Sequence, residues 1–163
     1  MTLHELNALD LGEFVRALAW IFEDSPWVME QAFAARPFAS LDALHKAAVA
    51  CLEAAPRDLQ LALLCSHPDL GTRAQISDAS QSEQANAGLG QLTPEEFAHL
   101  NRLNAEYSAR FGFPFIYAVK NSDKHAILEA LERRSRHPPE REFEEALRQV
   151  YRIARFRLED AII

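Results

Sequence analysis

Apolar residues recur along most of this chain at spacings of three and four, the period of an α-helix with one buried face. Asp10 reads as an N-cap, and Leu11, Phe14, Val15, Leu18 and Phe22 follow it at the helical period. Ser25-Pro26 reads as N-cap and first residue of a second helix, which carries Trp27, Val28, Ala32 and Phe33 and stops before Pro37. Ser40 caps a third, with Leu41, Leu44, Ala48 and Leu52 on one face and an end near Pro56. A fourth runs from about Arg57 to Cys65.

The pattern changes between Gly71 and Gly90, where small and polar residues dominate; the second half of this stretch suits a short helix ending at Gly88 or Gly90. Thr93-Pro94-Glu95-Glu96 then combines N-cap, N1 proline and N3 glutamate, a capping box. The helix it starts lines up Phe97, Leu100, Leu103, Tyr107 and Phe111, and Gly112 closes it. Phe113–Lys120 has strand-like composition without a second strand to pair with, and reads as buried extended chain or a single helical turn. Asn121 or Ser122 caps a helix through about Arg136, with Ile127, Leu128 and Leu131 inward, and His137-Pro138-Pro139 breaks it. The last helix runs from Glu140 to about Ala161 with Phe143, Leu147, Val150, Ala154 and Leu158 on its core face. The expected fold is all-α, a single-domain bundle of about eight helices covering residues 1–163.

Composition narrows the function. A chain of 163 residues, 48% hydrophobic, can bury a real core. Seventeen Lys and Arg against 24 Asp and Glu give a net charge of −7, which argues against nucleic-acid binding. Any anionic ligand must therefore meet a local cluster of positive charge or backbone N–H groups. Cys51 and Cys65 lie in apolar helical patterns and read as buried free thiols of a reducing compartment. No apolar run approaches the length of a membrane span, and Met1–Glu5 does not read as a leader. A soluble cytoplasmic protein is expected.

Candidate chemistry centres on Ser66-His67-Pro68-Asp69-Leu70-Gly71. Pro68 keeps His67 out of helical geometry and puts the imidazole on a stiff backbone at a helix end, as an acid/base group requires. A His-Pro at a helix end is also a common stop signal. Ser80-Gln81-Ser82-Glu83-Gln84 offers hydroxyls, amides and a carboxylate within one short stretch, although a solvated helix start has the same composition. Phe113–Lys120 is an apolar wall ending in a cation, or plain core. Together the three have the makeup of a small-molecule pocket. His4, His45, His99, His125 and His137 form no metal-ligand spacing, His67 with Asp69 is too little for a metal site, and no nucleophile elbow or phosphate loop is present. His45, His99 and His125 read as surface or partly buried polar residues.

Three segments, in this order and spacing, resemble the 2-oxo-4-hydroxy-4-carboxy-5-ureidoimidazoline (OHCU) decarboxylase family. They are Ser66–Gly71, Ser82-Glu83-Gln84-Ala85-Asn86-Ala87-Gly88-Leu89 and Phe111-Gly112-Phe113-Pro114-Phe115-Ile116-Tyr117-Ala118-Val119-Lys120. The resemblance implies an all-α homodimer that needs neither metal nor organic cofactor and takes an anionic ureidoimidazoline from urate breakdown to S-allantoin. It implies His67 as catalytic acid/base and Glu83 as the second catalytic group. It further implies Pro68, Ser80, Gln81, Ser82 and Gln84, then Phe113, Ile116, Tyr117, Ala118, Val119, Lys120 and Asn121, as the substrate-binding set, with residues 117–121 acting largely through backbone groups. Where many members carry glycine after the basic residue, this chain has Asn121. Two other readings compete: a cofactor-free enzyme acting on a related ureide, and a helical interaction module without catalysis.

Overall fold

The computed structural model describes residues 1–71 and 78–163. The chain separates into two compact units, residues 1–66 with 151–163 and residues 67–150.

The first unit contains α1 (Leu3–Ala8), α2 (Leu11–Leu18), α3 (Trp27–Ala32), α4 (Leu41–Ala54) and α5 (Arg57–Cys65). Helix α1 is too short to show a periodic stripe; its start is a capping box between Thr2 and Glu5. Asp10 caps α2 as expected, with Glu13 completing a second box. Leu11 nevertheless faces solvent, and the apolar run ends as a 3₁₀ turn at Ala19–Ile21 that buries Ile21. Ser40 caps α4 through the Ala43 N–H. The core is built from Leu6, Phe14, Leu18, Val28, Leu44, Leu52, Leu63 and Leu158, all essentially inaccessible. One buried ion pair crosses it: Arg157 Nη2 lies 2.8 Å from Glu23 Oε1. Both cysteines are free, but neither is buried: Cys51 is half-buried and Cys65 exposed. The apolar pattern around Cys65 comes from Leu63 and Leu64, which carry the inward face and leave the thiol outside.

The second unit contains α6 (Asp78–Asn86), α7 (Pro94–Phe111), α8 (Lys124–Arg134) and the first part of α9 (Pro139–Ala161), whose residues from Tyr151 onward cluster with the first unit. Residues 72–77 of the polar stretch lie outside the described residues. The Thr93/Glu96 capping box and the left-handed Gly112 (φ 79°) bound α7 as expected. Helix α8 is shorter than the sequence suggests at both ends. Asn121 takes a left-handed turn (φ 63°) and the Ser122 N–H donates to Val119 O, so the cap falls to Asp123, whose carboxylate accepts from the Ala126 N–H. The far end stops at Arg134, with Ser135 as its C-cap. No strand occurs among the described residues, and Phe113–Val119 is non-helical, mostly buried chain. The all-α class holds, with nine α-helices among the described residues.

Candidate functional site

His67 begins the second unit directly after α5. Its backbone has left the helix, and its side chain and that of Pro68 are half-buried. Two residues on, Asp69 stays largely open to solvent, yet the surrounding protein removes enough water from its carboxyl to raise its pKa above the usual carboxylate value. The segment then turns at Gly71, which sits at φ 73°. Past Ser66 the chain has left the helix, and side chains hold the backbone at its turn. The Leu70 carbonyl accepts from Asn104 Nδ2 at 3.0 Å, and the Gly71 N–H donates to Gln84 Oε1 at 2.9 Å.

Gln84 belongs to α6, and the helical period sorts the polar residues of that helix. Ser80 and Gln84 are buried, Glu83 is half-buried beside Ser80 at the edge of their face, and Ala87 continues the same face. Gln81 and Ser82 point to the opposite, exposed side. The structure therefore groups Ser80, Glu83 and Gln84 and leaves Gln81 and Ser82 apart.

The third segment is tied down in the same way. Phe113, Ile116, Ala118 and Val119 are buried, Tyr117 and Lys120 half-buried, and Asn121 exposed at the turn. Arg134 Nη1 donates to Ile116 O at 2.7 Å, and the Ala118 N–H donates to Gln149 Oε1 at 2.9 Å. Tyr117 Oη and Ser122 Oγ are 3.0 Å apart. Behind the segment, the Tyr107 ring meets Phe113 and Phe115 edge-on at 6.0 and 5.4 Å. The Tyr107 hydroxyl donates to Glu142, which also accepts from Arg134 Nε at 2.6 Å and lies 3.2 Å from His137 Nδ1. Burial, together with the hydrogen bond to Glu142, raises the Tyr107 hydroxyl pKa far above its normal value, so it stays a donor.

Helix α7 connects the first and third segments. Asn104 holds Leu70, and Tyr107, three residues along and on the same face, packs on Phe113 and Phe115. At its start, Lys124 Nζ lies 2.8 Å from Glu96 Oε1. Sequence reasoning did not single out Asn104, Arg134, Glu142 or Gln149. A signal was present: Phe97, Leu100, Asn104, Tyr107 and Phe111 share one periodic stripe, so Asn104 stands where an apolar residue is due. Among the described residues no group of three or more His, Cys, Asp and Glu could hold a metal ion. His45 is half-buried against Tyr151 O at 2.8 Å, His99 faces Glu132 at 3.0 Å and His125 is exposed, as expected of polar surface residues.

A sequence profile described as OHCU decarboxylase matches residues 7–159. The chain belongs to the OHCU decarboxylase family. It is 47% identical over 158 residues to a 2-oxo-4-hydroxy-4-carboxy-5-ureidoimidazoline decarboxylase of Haloferax volcanii, covering 97% of this chain and 94% of that one. It is also 47% identical over 161 residues to the uric acid degradation bifunctional protein PucL of Bacillus subtilis, covering 99% of this chain but only 33% of that one. Among solved structures, that of an (S)-allantoin synthase superposes with a TM-score of 0.82 at 34% identity, covering all of this chain and 54% of the other. This OHCU decarboxylase family member thus spans about half of that crystallised chain and about a third of the bifunctional protein.

Proposed function

We propose that the protein decarboxylates OHCU to S-allantoin and CO2, as a carboxy-lyase of urate breakdown. The observation that carries this reading is 47% identity along nearly the full length of a relative named for that reaction. The chemistry suits the residues. The substrate carbon that bears the carboxylate also bears a hydroxyl, and its ring neighbour is an imine carbon. When the C–CO2 bond breaks, its electron pair forms a double bond to that neighbour, and the imine nitrogen takes a proton. The enaminol then gains a proton at the former imine carbon and loses its hydroxyl proton to become allantoin. The imine is the electron sink, so the reaction calls for no further cofactor.

In this reading His67 touches the carboxylate or hydroxyl and handles the proton that sets the S configuration. Glu83 holds the hydroxyl or the ureido N–H groups. Ser80 and the backbone of residues 117–121 bind the ring, with Lys120 supplying positive charge and Pro68, Phe113 and Ile116 the apolar wall. Gln81 and Ser82, which are exposed, contribute at most through their backbone. Residues 1–163 act as one catalytic domain, a reading supported by a family match that runs across both units. The oligomer is a homodimer, for which the exposed Leu59 and Leu61 of α5 offer apolar surface to a second copy. The location is cytoplasmic, in keeping with described helices none of which is long and apolar enough to cross a membrane.

The test generates OHCU in place with urate oxidase and hydroxyisourate hydrolase and follows circular dichroism after adding the protein. Rapid formation of optically pure S-allantoin is expected. Decay at the spontaneous rate to racemic product would exclude the decarboxylase reading and favour a related ureide enzyme or an interaction module.

A further inference from the structure

The peptide group joining Leu70 to Gly71 is gripped at both of its polar atoms by buried side-chain amides from different helices. Its carbonyl accepts from Asn104 Nδ2 of α7 at 3.0 Å; its N–H donates to Gln84 Oε1 of α6 at 2.9 Å. Asn104 is 3% and Gln84 7% exposed, so water does not compete for either bond. The gripped peptide lies three residues beyond His67. One of the two helices that hold it also carries Glu83, in the position preceding Gln84.

We propose that Asn104 is a positioning residue for the reaction: with Gln84 it forms an amide clamp that sets His67 relative to Glu83. This rests on the decarboxylase reading above. Past Ser66, whose N–H still donates to Ala62 O, the chain carrying His67 has left the helix, and Pro68 has no N–H to donate. At the turn, the clamp holds both polar atoms of the peptide three residues beyond His67. Gln84 acts here through a backbone contact, and its carbonyl oxygen is already committed to Gly71.

Asn104 also has the marks of a residue kept for a purpose other than stability. Its Oδ1 is buried without a hydrogen-bond partner among the described residues, on a stripe otherwise made of leucine and aromatic residues. Leucine has nearly the same shape as asparagine and carries no donor. Asn104→Leu removes the orphaned oxygen and adds apolar burial, while leaving the Leu70 carbonyl unpaired. These changes offset one another in stability but not in positioning.

The experiment compares wild type with Asn104→Leu by urea unfolding, by steady-state kinetics on OHCU generated in place, and by proton NMR of the histidine rings. His67 is assigned by the signals missing in His67→Asn. The expected result is an unfolding midpoint close to wild type, KM within about twofold, and kcat lower by about tenfold to a hundredfold. The His67 ring signals and their titration should move while those of the other histidines stay. Gln84→Met, which removes the acceptor on the other side of the same peptide, should lower kcat and move the same signals.

A variant with unchanged kcat and unchanged His67 signals overturns the proposal. So does a variant that fails to fold or whose midpoint drops sharply, because Asn104 is then a structural residue. If the wild type itself does not turn over OHCU, the decarboxylase reading fails, and the NMR comparison alone decides whether the clamp sets His67.

Discussion

A Cβ placed on Gly71 would lie 2.5 Å from Leu100 Cδ2, closer than any tolerable contact. Leu100 is fully buried in the core of its unit, so it has little room to retreat. Gly71 is also held at φ 73°, a region that L-residues avoid. Space and dihedral make the same demand of the residue that ends the His67 segment. Gly71→Ala should cost about 1–3 kcal/mol in urea unfolding, and turnover should fall because the clamped peptide moves.

His67→Asn should abolish detectable S-allantoin formation with little change in the unfolding midpoint, since the ring is only half-buried. For an acid/base residue the expected loss is about 10²–10⁴-fold in kcat. Glu83→Ala should also lose most of its kcat, and a change in KM alone would assign it to binding only.

The buried cluster behind the third segment predicts a stability effect. Arg134 and Glu142 are 2% and 0% exposed. Glu142→Gln leaves the Arg134 charge buried without its counter-charge and should cost about 3–5 kcal/mol. Tyr107→Phe removes one donor to the same carboxylate and should cost less, about 1–2 kcal/mol. Urea unfolding of both variants gives the comparison, and equal losses would contradict the ion pair as the main contributor.

Glu96 predicts a pH window. Its hydrogen bond from Lys124, followed by that from the Thr93 N–H, lowers its pKa from 4.5 to about 2. A carboxyl whose pKa is lowered by folding stabilises the protein while ionised. Its contribution is complete above the unfolded value of 4.5 and fades as pH falls toward about 2. The difference in unfolding midpoint between wild type and Glu96→Gln should be constant from pH 6 to 5 and shrink steadily below about pH 4.5.

Asn121 predicts a backbone effect. Glycine and asparagine both tolerate its left-handed φ of 63°. The turn therefore accepts asparagine as well as glycine. Asn121→Gly should stay within about 0.5 kcal/mol of wild type, whereas Asn121→Val should lose about 1–2 kcal/mol. Thermal unfolding of the two variants tests this.

Helix positions were legible because each start signal acts within three or four residues. Ser40, Thr93 with Glu96, and Gly112 do in the structure what their local chemistry predicts. The α8 cap was displaced from Asn121 or Ser122 to Asp123 because Asn121 is left-handed and Ser122 is engaged with both Val119 and Tyr117, a turn that periodicity does not describe. The exposure of Cys65 was missed for a related reason: in a run as apolar as Leu59–Cys65, only the neighbours decide which face turns inward.

By itself, the sequence determined the all-α class, most helix boundaries and the three segments that mark the family, because caps, periods and short motifs are local. Tertiary structure alone decided that Gln84 and Asn104 meet on one peptide, that Ser80 and Glu83 share a face which Gln81 and Ser82 do not, and that Arg134 and Gln149 hold the backbone of residues 116–118. The physical reason is that irregular chain has no hydrogen-bond pattern of its own. Its buried N–H and C=O groups must find partners far away in sequence, and only the folded chain brings those partners within 3 Å.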